Sequence, residues 1–165
     1  MLQFSLLDKN NFVSLSKDLF DILALNMSVI APTGNTYEED YRLWFEAVNE
    51  GLNKEARQII LIYCNNLLIG FFQYYTNNDL FMMEEVQISP QFHGKDNIFR
   101  GIFRFVLSVL PCNIQIIEAY ANKQNEKSQK ILQRLGLIKI GENKNGNSYH
   151  YRGEYRSLIK WYQRP

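Results

Sequence analysis

Cysteine, histidine and an excess of one charge sign are all scarce in this chain, and each shortage removes a class of function. Its two cysteines, Cys64 and Cys112, have no thiol or histidine close by in sequence. Neither a metal site nor a disulfide framework is therefore expected, and both read as reduced thiols of a cytoplasmic protein. A catalytic thiol would lack an adjacent base. Lys and Arg number 18 against 17 Asp and Glu, so the basic excess that tracks a nucleic-acid backbone is missing. No apolar run approaches the ~20 residues of a membrane span. The opening M-L-Q-F-S-L-L-D-K-N has neither the basic lead nor the long apolar segment of a signal peptide. No nucleic-acid or membrane partner is expected.

What is present is a globular composition, 46% hydrophobic and 21% charged, in 165 residues that read as a single domain, 1–165. Phe4 to Leu7 is a strand candidate, and Phe12, Leu15, Leu19, Ile22 and Leu23 repeat at helical spacing. Thr36 and Glu39 have capping-box spacing before a second helix, whose stripe is Tyr37, Tyr41, Trp44 and Val48. This stripe reads as core. From Gln58 the period shortens: three apolar runs, separated by Asn65-Asn66 and Asn77-Asn78-Asp79, predict an antiparallel meander. Ile98, Ile102, Phe105, Val106 and Val109 mark a third helix that Pro111 ends. Ile114 to Ala121 is a strand, and Asn125 to Leu135 a helix with Gly136 past its end. Leu137–Glu142 and Ser148–Leu158 read as a last hairpin. The order β-α-α-β-β-β-α-β-α-β-β predicts an α/β (α+β) domain, a mixed sheet of about seven strands with about four helices.

The informative stretch runs from Leu80 to Leu137. A strand carrying Glu84 and Glu85 leads through Ser89-Pro90 into Q-F-H-G-K-D, Gln91 to Asp96, at the start of a helix. A glycine turn in that position is suited to holding phosphate. Later comes I-E-A-Y-A-N-K-Q-N-E-K-S-Q-K-I-L-Q-R-L-G-L. In element order and in these two segments the chain resembles the GNAT superfamily of acyl-CoA-dependent N-acetyltransferases. The turn is similar to the family's [Q/R]-x-x-G-x-[G/A], with Asp96 departing at the last position. Asn125, Ser128, Leu135 and Gly136 match the branch that contains the ribosomal-protein N-terminal acetyltransferases.

The resemblance implies acetyl-CoA as cofactor. Backbone amides of Phe92, His93, Gly94, Lys95, Asp96 and Asn97 would face its pyrophosphate, with Gln91 and Lys95 adding side-chain contacts. The pantetheine arm would lie along Val86, Gln87 and Ile88. Asn125 and Ser128 would hold the cofactor from the next helix, although Asn125 also suits a plain N-cap. The reaction implied is direct attack of a primary amine, either a small molecule or a peptide N-terminus, on the thioester. Successive residues of a strand face opposite ways, so one of Glu84 and Glu85 faces the acceptor. Glu85, sharing a face with Gln87, is the expected base, with Val86 and Ile88 toward a covering helix. Glu118 is another candidate base. Leu132 stands where many members carry a tyrosine acid, which leaves Ser128, Tyr120, Tyr149 or Tyr151 for that role. His93 and His150 show no partner in sequence and receive none. A GNAT-fold module weakened in catalysis, or one kept for interaction, is the alternative. The expected state is monomer or homodimer, through an exposed C-terminal strand bearing Tyr155 and Trp161.

Overall fold

The computed structural model describes residues 1–54, 56–95 and 97–165. Seven strands are formed: β1 (Leu2–Leu6), β2 (Arg57–Cys64), β3 (Leu67–Asn77), β4 (Leu80–Ile88), β5 (Ile116–Asn122), β6 (Ile138–Glu142) and β7 (Ser148–Glu154). The helices are α1 (Phe12–Ile30), α2 (Tyr37–Lys54), α3 (Ile98–Val109), α4 (Glu126–Arg134) and α5 (Tyr155–Gln163). The strands make one mixed sheet in the order β1-β2-β3-β4-β5-β7-β6. By packing, the chain falls into two compact units, Met1–Gln73 with Glu85–Ile102, and Tyr74–Glu84 with Phe103–Pro165.

In the first unit β1 pairs antiparallel with β2, Leu2 opposite Cys64 through Leu6 opposite Ile60. The β2–β3 turn places Asn65 and Asn66 at φ 48° and 67°, left-handed values that asparagine tolerates and that a two-residue hairpin requires. Thr36 and Glu39 form the capping box their spacing predicts: Glu39 N–H donates to Thr36 Oγ1 at 3.2 Å and Thr36 N–H to Glu39 Oε2 at 2.9 Å. The α1 and α2 stripes close on Ile59, Leu61 and Phe71, with Phe12, Leu19, Val48 and Leu52 buried. Tyr41 and Trp44 belong to this core: Trp44 packs against Phe71, and the Tyr41 hydroxyl bonds Ser16 at 2.8 Å. Tyr37 stays at the edge, its hydroxyl donating to Asp21.

In the second unit β4 pairs parallel with β5 from Leu80–Ile116 to Met83–Ala119. β5 pairs antiparallel with β7 over its whole length, and β6 follows on the other side of β7. Ile117, Ala119 and Ala121 of β5 are buried, while the alternate residues, with Tyr120 exposed, lie on the opposite face. The α4 C-terminus closes as a Schellman motif, Gly136 N–H to Gln133 O at 3.0 Å and Leu137 N–H to Leu132 O at 3.1 Å.

The expected hairpin to Leu158 is corrected here. β7 stops at Glu154, and Tyr155 opens a fifth helix, which buries Leu158 and packs Trp161 edge-on to Phe103 at 5.4 Å. The sequence alternation of Ser148–Glu154 runs into Tyr155 with no breaker, which hides the change of period. Tyr155 and Trp161 are thus not part of an exposed strand. Among the described residues no helix is long and apolar enough to cross a membrane.

Gly136 has φ 95°, and a Cβ there would lie 2.5 Å from Ser157 Cβ. Gly136→Ala is expected to destabilise the protein by about 1–3 kcal/mol from backbone strain and overpacking. Ser157→Gly should recover part of that loss. Urea unfolding of the single and double variants measures both; equal midpoints for Gly136→Ala and wild type would contradict the assignment.

Candidate active site

Two clusters of polar side chains interrupt otherwise apolar strands. The first is on β4. The β4–β5 ladder ends at Met83–Ala119, yet β4 continues to Ile88. In this continuation Gln87 Nε2 donates to Glu85 Oε1, so the two share a face, as expected. Asn26 of α1 donates through Nδ2 to Gln87 Oε1 at 2.8 Å and to the Ile88 carbonyl at 2.9 Å. The expectation that Val86 turns toward a covering helix fails: Val86 is 36% exposed and Gln87 only 8%. Asn26 is the reason. A half-buried amide donor on α1 captures Gln87 and places the polar side of β4 inward. The neighbouring strand is held close, since Ser89 N–H donates to Ile69 O at 2.7 Å and a Cβ at Gly70 would lie 2.4 Å from Gln87 O. Only glycine fits there.

After β4 the chain makes a 3-10 turn, Pro90–Phe92, and reaches α3. Phe92, His93 and Lys95 N–H groups close turns at 2.9, 3.2 and 3.3 Å. Gly94 and Asn97, at φ 72° and 50°, carry the N–H groups with no backbone partner among the described residues. Gln91, His93, Gly94, Lys95 and Asn97 are exposed. His93 Nε2 bonds the Ile88 carbonyl at 2.7 Å, a partner not visible in sequence. Asp96 lies outside the described residues.

The second cluster is on the open face of β5 and β7. Glu118 lies opposite Arg152, and Tyr120 opposite His150. Glu118 Oε2 meets His150 Nε2 at 3.0 Å, and Glu118 Oε1 meets Arg152 at 3.5 Å. The His150 ring stacks on Tyr120 with centroids 4.4 Å apart and planes at 13°. The carboxylate is 13% exposed and the imidazole 21%. An open depression of about 410 Å3 beside them is lined by Ile116, Ile138, Ile140 and Arg152. It is mainly apolar, with Arg152 and Glu154 as the charged residues of its lining.

Asn125 caps α4 through Oδ1, which accepts from Ser128 N–H at 3.1 Å. Its Nδ2 donor is not used in that bond. Ser128 is half-buried and Leu132 buried. Of the tyrosines, Tyr149 lies beneath the Lys139 ammonium at 3.6 Å. Tyr151 is fully buried and its hydroxyl has no hydrogen-bond partner among the described residues; burial, with Tyr149 nearby, raises its pKa. Sequence reasoning missed Asn26 and Arg152 and left His150 unassigned. Asn26 had a signal: it falls on the apolar stripe of α1, four residues after Ile22, where a polar side chain needs a partner.

No protein-family model and no curated protein matches this chain. Solved structures do. The PaiA N-acetyltransferase of Thermoplasma acidophilum, crystallised with coenzyme A, aligns at TM-score 0.75 and 12% identity, over 94% of this chain and 99% of that one. The chain has the fold of the GNAT acetyltransferases. An acetyltransferase from Thermus thermophilus aligns at TM-score 0.68 and 13% identity, over 93% and 97% of the two chains. The spermidine N-acetyltransferase of Vibrio cholerae, in complex with coenzyme A and spermine, aligns at 0.63 and 13%, over 96% and 98%. At these identities the GNAT likeness is one of fold.

Asn26→Ala leaves the buried Gln87 Oε1 without its donor, while the Ile88 carbonyl keeps only His93 Nε2. A loss of about 1–3 kcal/mol is expected. Adding Gln87→Leu should return part of it, because the orphaned oxygen is then gone. A double-mutant cycle by chemical denaturation measures the coupling; additive losses would contradict the bonded chain from α1 to β4.

Proposed function

We propose that residues 1–165 act as one cytoplasmic acetyl-CoA-dependent N-acetyltransferase domain, transferring acetyl to a primary amine. The observation that carries this reading is the continuation of β4 past its ladder with β5, into a turn whose Gly94 and Asn97 amides have no backbone partner among the described residues and stand at a helix start. The residues suit coenzyme A. The backbone of Val86, Gln87 and Ile88 offers a strand edge to the amides of the pantetheine arm. Gly94 and Asn97 N–H groups offer an anion site reinforced by the α3 dipole. Lys95 adds a positive charge, and Gln91 a side-chain donor. Phe92 and His93 shape the turn. Asn125 Nδ2 and Ser128 contribute from α4.

Bound acetyl-CoA supplies a thioester carbonyl that an amine can attack, so that a C–N bond forms and the C–S bond breaks. The chain's task is to take a proton from the incoming ammonium, to orient the amine and to return a proton to the leaving sulfur. Glu85 and Glu118 are the carboxylates available for the first part, and Ser128 can pass a proton in the last. A backbone N–H of β4 would polarise the carbonyl oxygen of the bound thioester. The acceptor class is a small amine, as in the Vibrio cholerae complex with spermine, or a peptide N-terminus, as the branch resemblance at Asn125 and Ser128 implies.

Calorimetry with acetyl-CoA and a thiol-release assay over amines and peptides test the reading. Micromolar binding and turnover of at least one amine are expected. No heat and no thermal shift at millimolar acetyl-CoA would sink it. Binding without turnover on any amine would favour a cofactor-binding module, the outcome that Leu132 at the usual acid position makes specific.

A further inference from the structure

We propose that Asn26 and Gln87 are positioning residues that hold Glu85 in place as the base for the acceptor amine. The inference rests on the acetyl-transfer reading and says which carboxylate is its base and how that base is held. Asn26, Glu85, Gln87 and the turn from Pro90 to Lys95 all belong to the first compact unit, so the arrangement lies within one packed body.

The row of bonds runs in one direction, and its start sets that direction. The Ile88 carbonyl can only accept, so Asn26 must turn Nδ2 toward it, 2.9 Å away. The same Nδ2 reaches Gln87 at 2.8 Å, and Gln87 therefore presents Oε1 to Asn26. Its Nε2 is then at the other end of the amide, where it donates to Glu85 Oε1. Turning Gln87 over would set Nε2 against Nδ2 and Oε1 against the carboxylate. One backbone carbonyl thus orients two amides and, through them, a carboxylate. His93 Nε2 also bonds the Ile88 carbonyl, at 2.7 Å, which ties the row to the turn after β4.

Packing alone does not call for these residues. Gln87 is buried and Asn26 half-buried, and an apolar pair of similar shape would fill the same space at little or no cost. The row ends instead at half-buried Glu85, beside the stretch Val86–Ile88 proposed to carry the pantetheine arm. A satisfied polar network of this kind fixes the rotamers of its members, which is what a base needs to meet its proton in one geometry.

In the step proposed, the acceptor ammonium gives one proton to the Glu85 carboxylate, which later releases it to solvent. The free amine forms the C–N bond as the C–S bond breaks, and its second proton goes to the departing thiolate. The Asn26 and Gln87 side chains touch no reacting atom and act through Glu85.

The test uses acetyl-CoA with n-butylamine, spermidine and a tripeptide as acceptors, and reads rate against stability. Glu85→Gln should lower kcat by about 10²–10⁴-fold, the usual worth of a positioned base. Asn26→Ala should lower it by about 10²-fold, the effect of a small misplacement, with calorimetric acetyl-CoA affinity kept. Adding Gln87→Leu to Asn26→Ala should recover part of the stability while the rate stays low, a split that a purely structural role would not give. In a Glu85→Gln background, Asn26→Ala should cost no further rate. Nitrogen-15 spectra of the free protein give a readout without turnover: Glu85→Leu should shift the Gln87 side-chain amide signals. A rate that returns with stability in the double variant overturns the proposal, as do Gln87 signals that Glu85→Leu leaves unmoved. Acetyl-CoA binding with turnover of none of the three acceptors overturns it too. Failure of the wild type to bind acetyl-CoA is a different result: it ends the acetyl-transfer reading, and this proposal with it.

Discussion

The parting of β4 from β5 after Met83 is the constraint on which the candidate chemistry depends. Up to that point the two strands satisfy each other's backbone. Beyond it, β4 carries five more residues, Glu84 to Ile88, and β5 three, Tyr120 to Asn122. Unpaired strand edges are costly when buried and adhesive when exposed, so proteins keep them where something is meant to add to them. Here the edge leads straight into a turn with left-handed Gly94 and Asn97 and then into α3. A ligand with both amides and phosphates matches such a sequence of groups, and coenzyme A is one.

Several of the polar residues on these strands are tied down by partners distant in sequence. Asn26 reaches from α1 to Gln87 and Ile88, and Gln87 in turn to Glu85. Glu118 is held between His150 and Arg152. Networks of this kind are worth having only when their members are satisfied, since an orphaned buried group costs more than the bond contributes. Among the described residues two buried groups have no partner, Gln73 Oε1 and the Tyr151 hydroxyl. Both lie in strands rather than in surface loops. Neither is tied to a named step.

Much of the fold was legible because its signals are local. The Thr36–Glu39 box, the Asn65-Asn66 turn and the Gly136 stop are short-range chemistry, and each forms where the residues predict. The Tyr41 and Trp44 stripe is core, as its spacing predicts. The misses are of two kinds. One is a period change without punctuation: Leu158 and Trp161 belong to α5, but the alternating strand before them hides its start. The other is long-range pairing. Asn26 and Gln87 are 61 residues apart, and Glu118 and His150 are 32 apart, so no spacing rule connects them. For the same reason Val86, apolar and expected to be covered, is the exposed residue, and Gln87 the buried one.

The central claim is that β4 past its ladder with β5, and the turn after it, receive acetyl-CoA. Residue-resolved amide hydrogen exchange with and without saturating acetyl-CoA tests it most directly. The account predicts slowed exchange confined to residues 84–88 and to Gly94 and Asn97, with β6 unchanged. Acetyl-CoA binding that leaves those amides exchanging as in the free protein would contradict it.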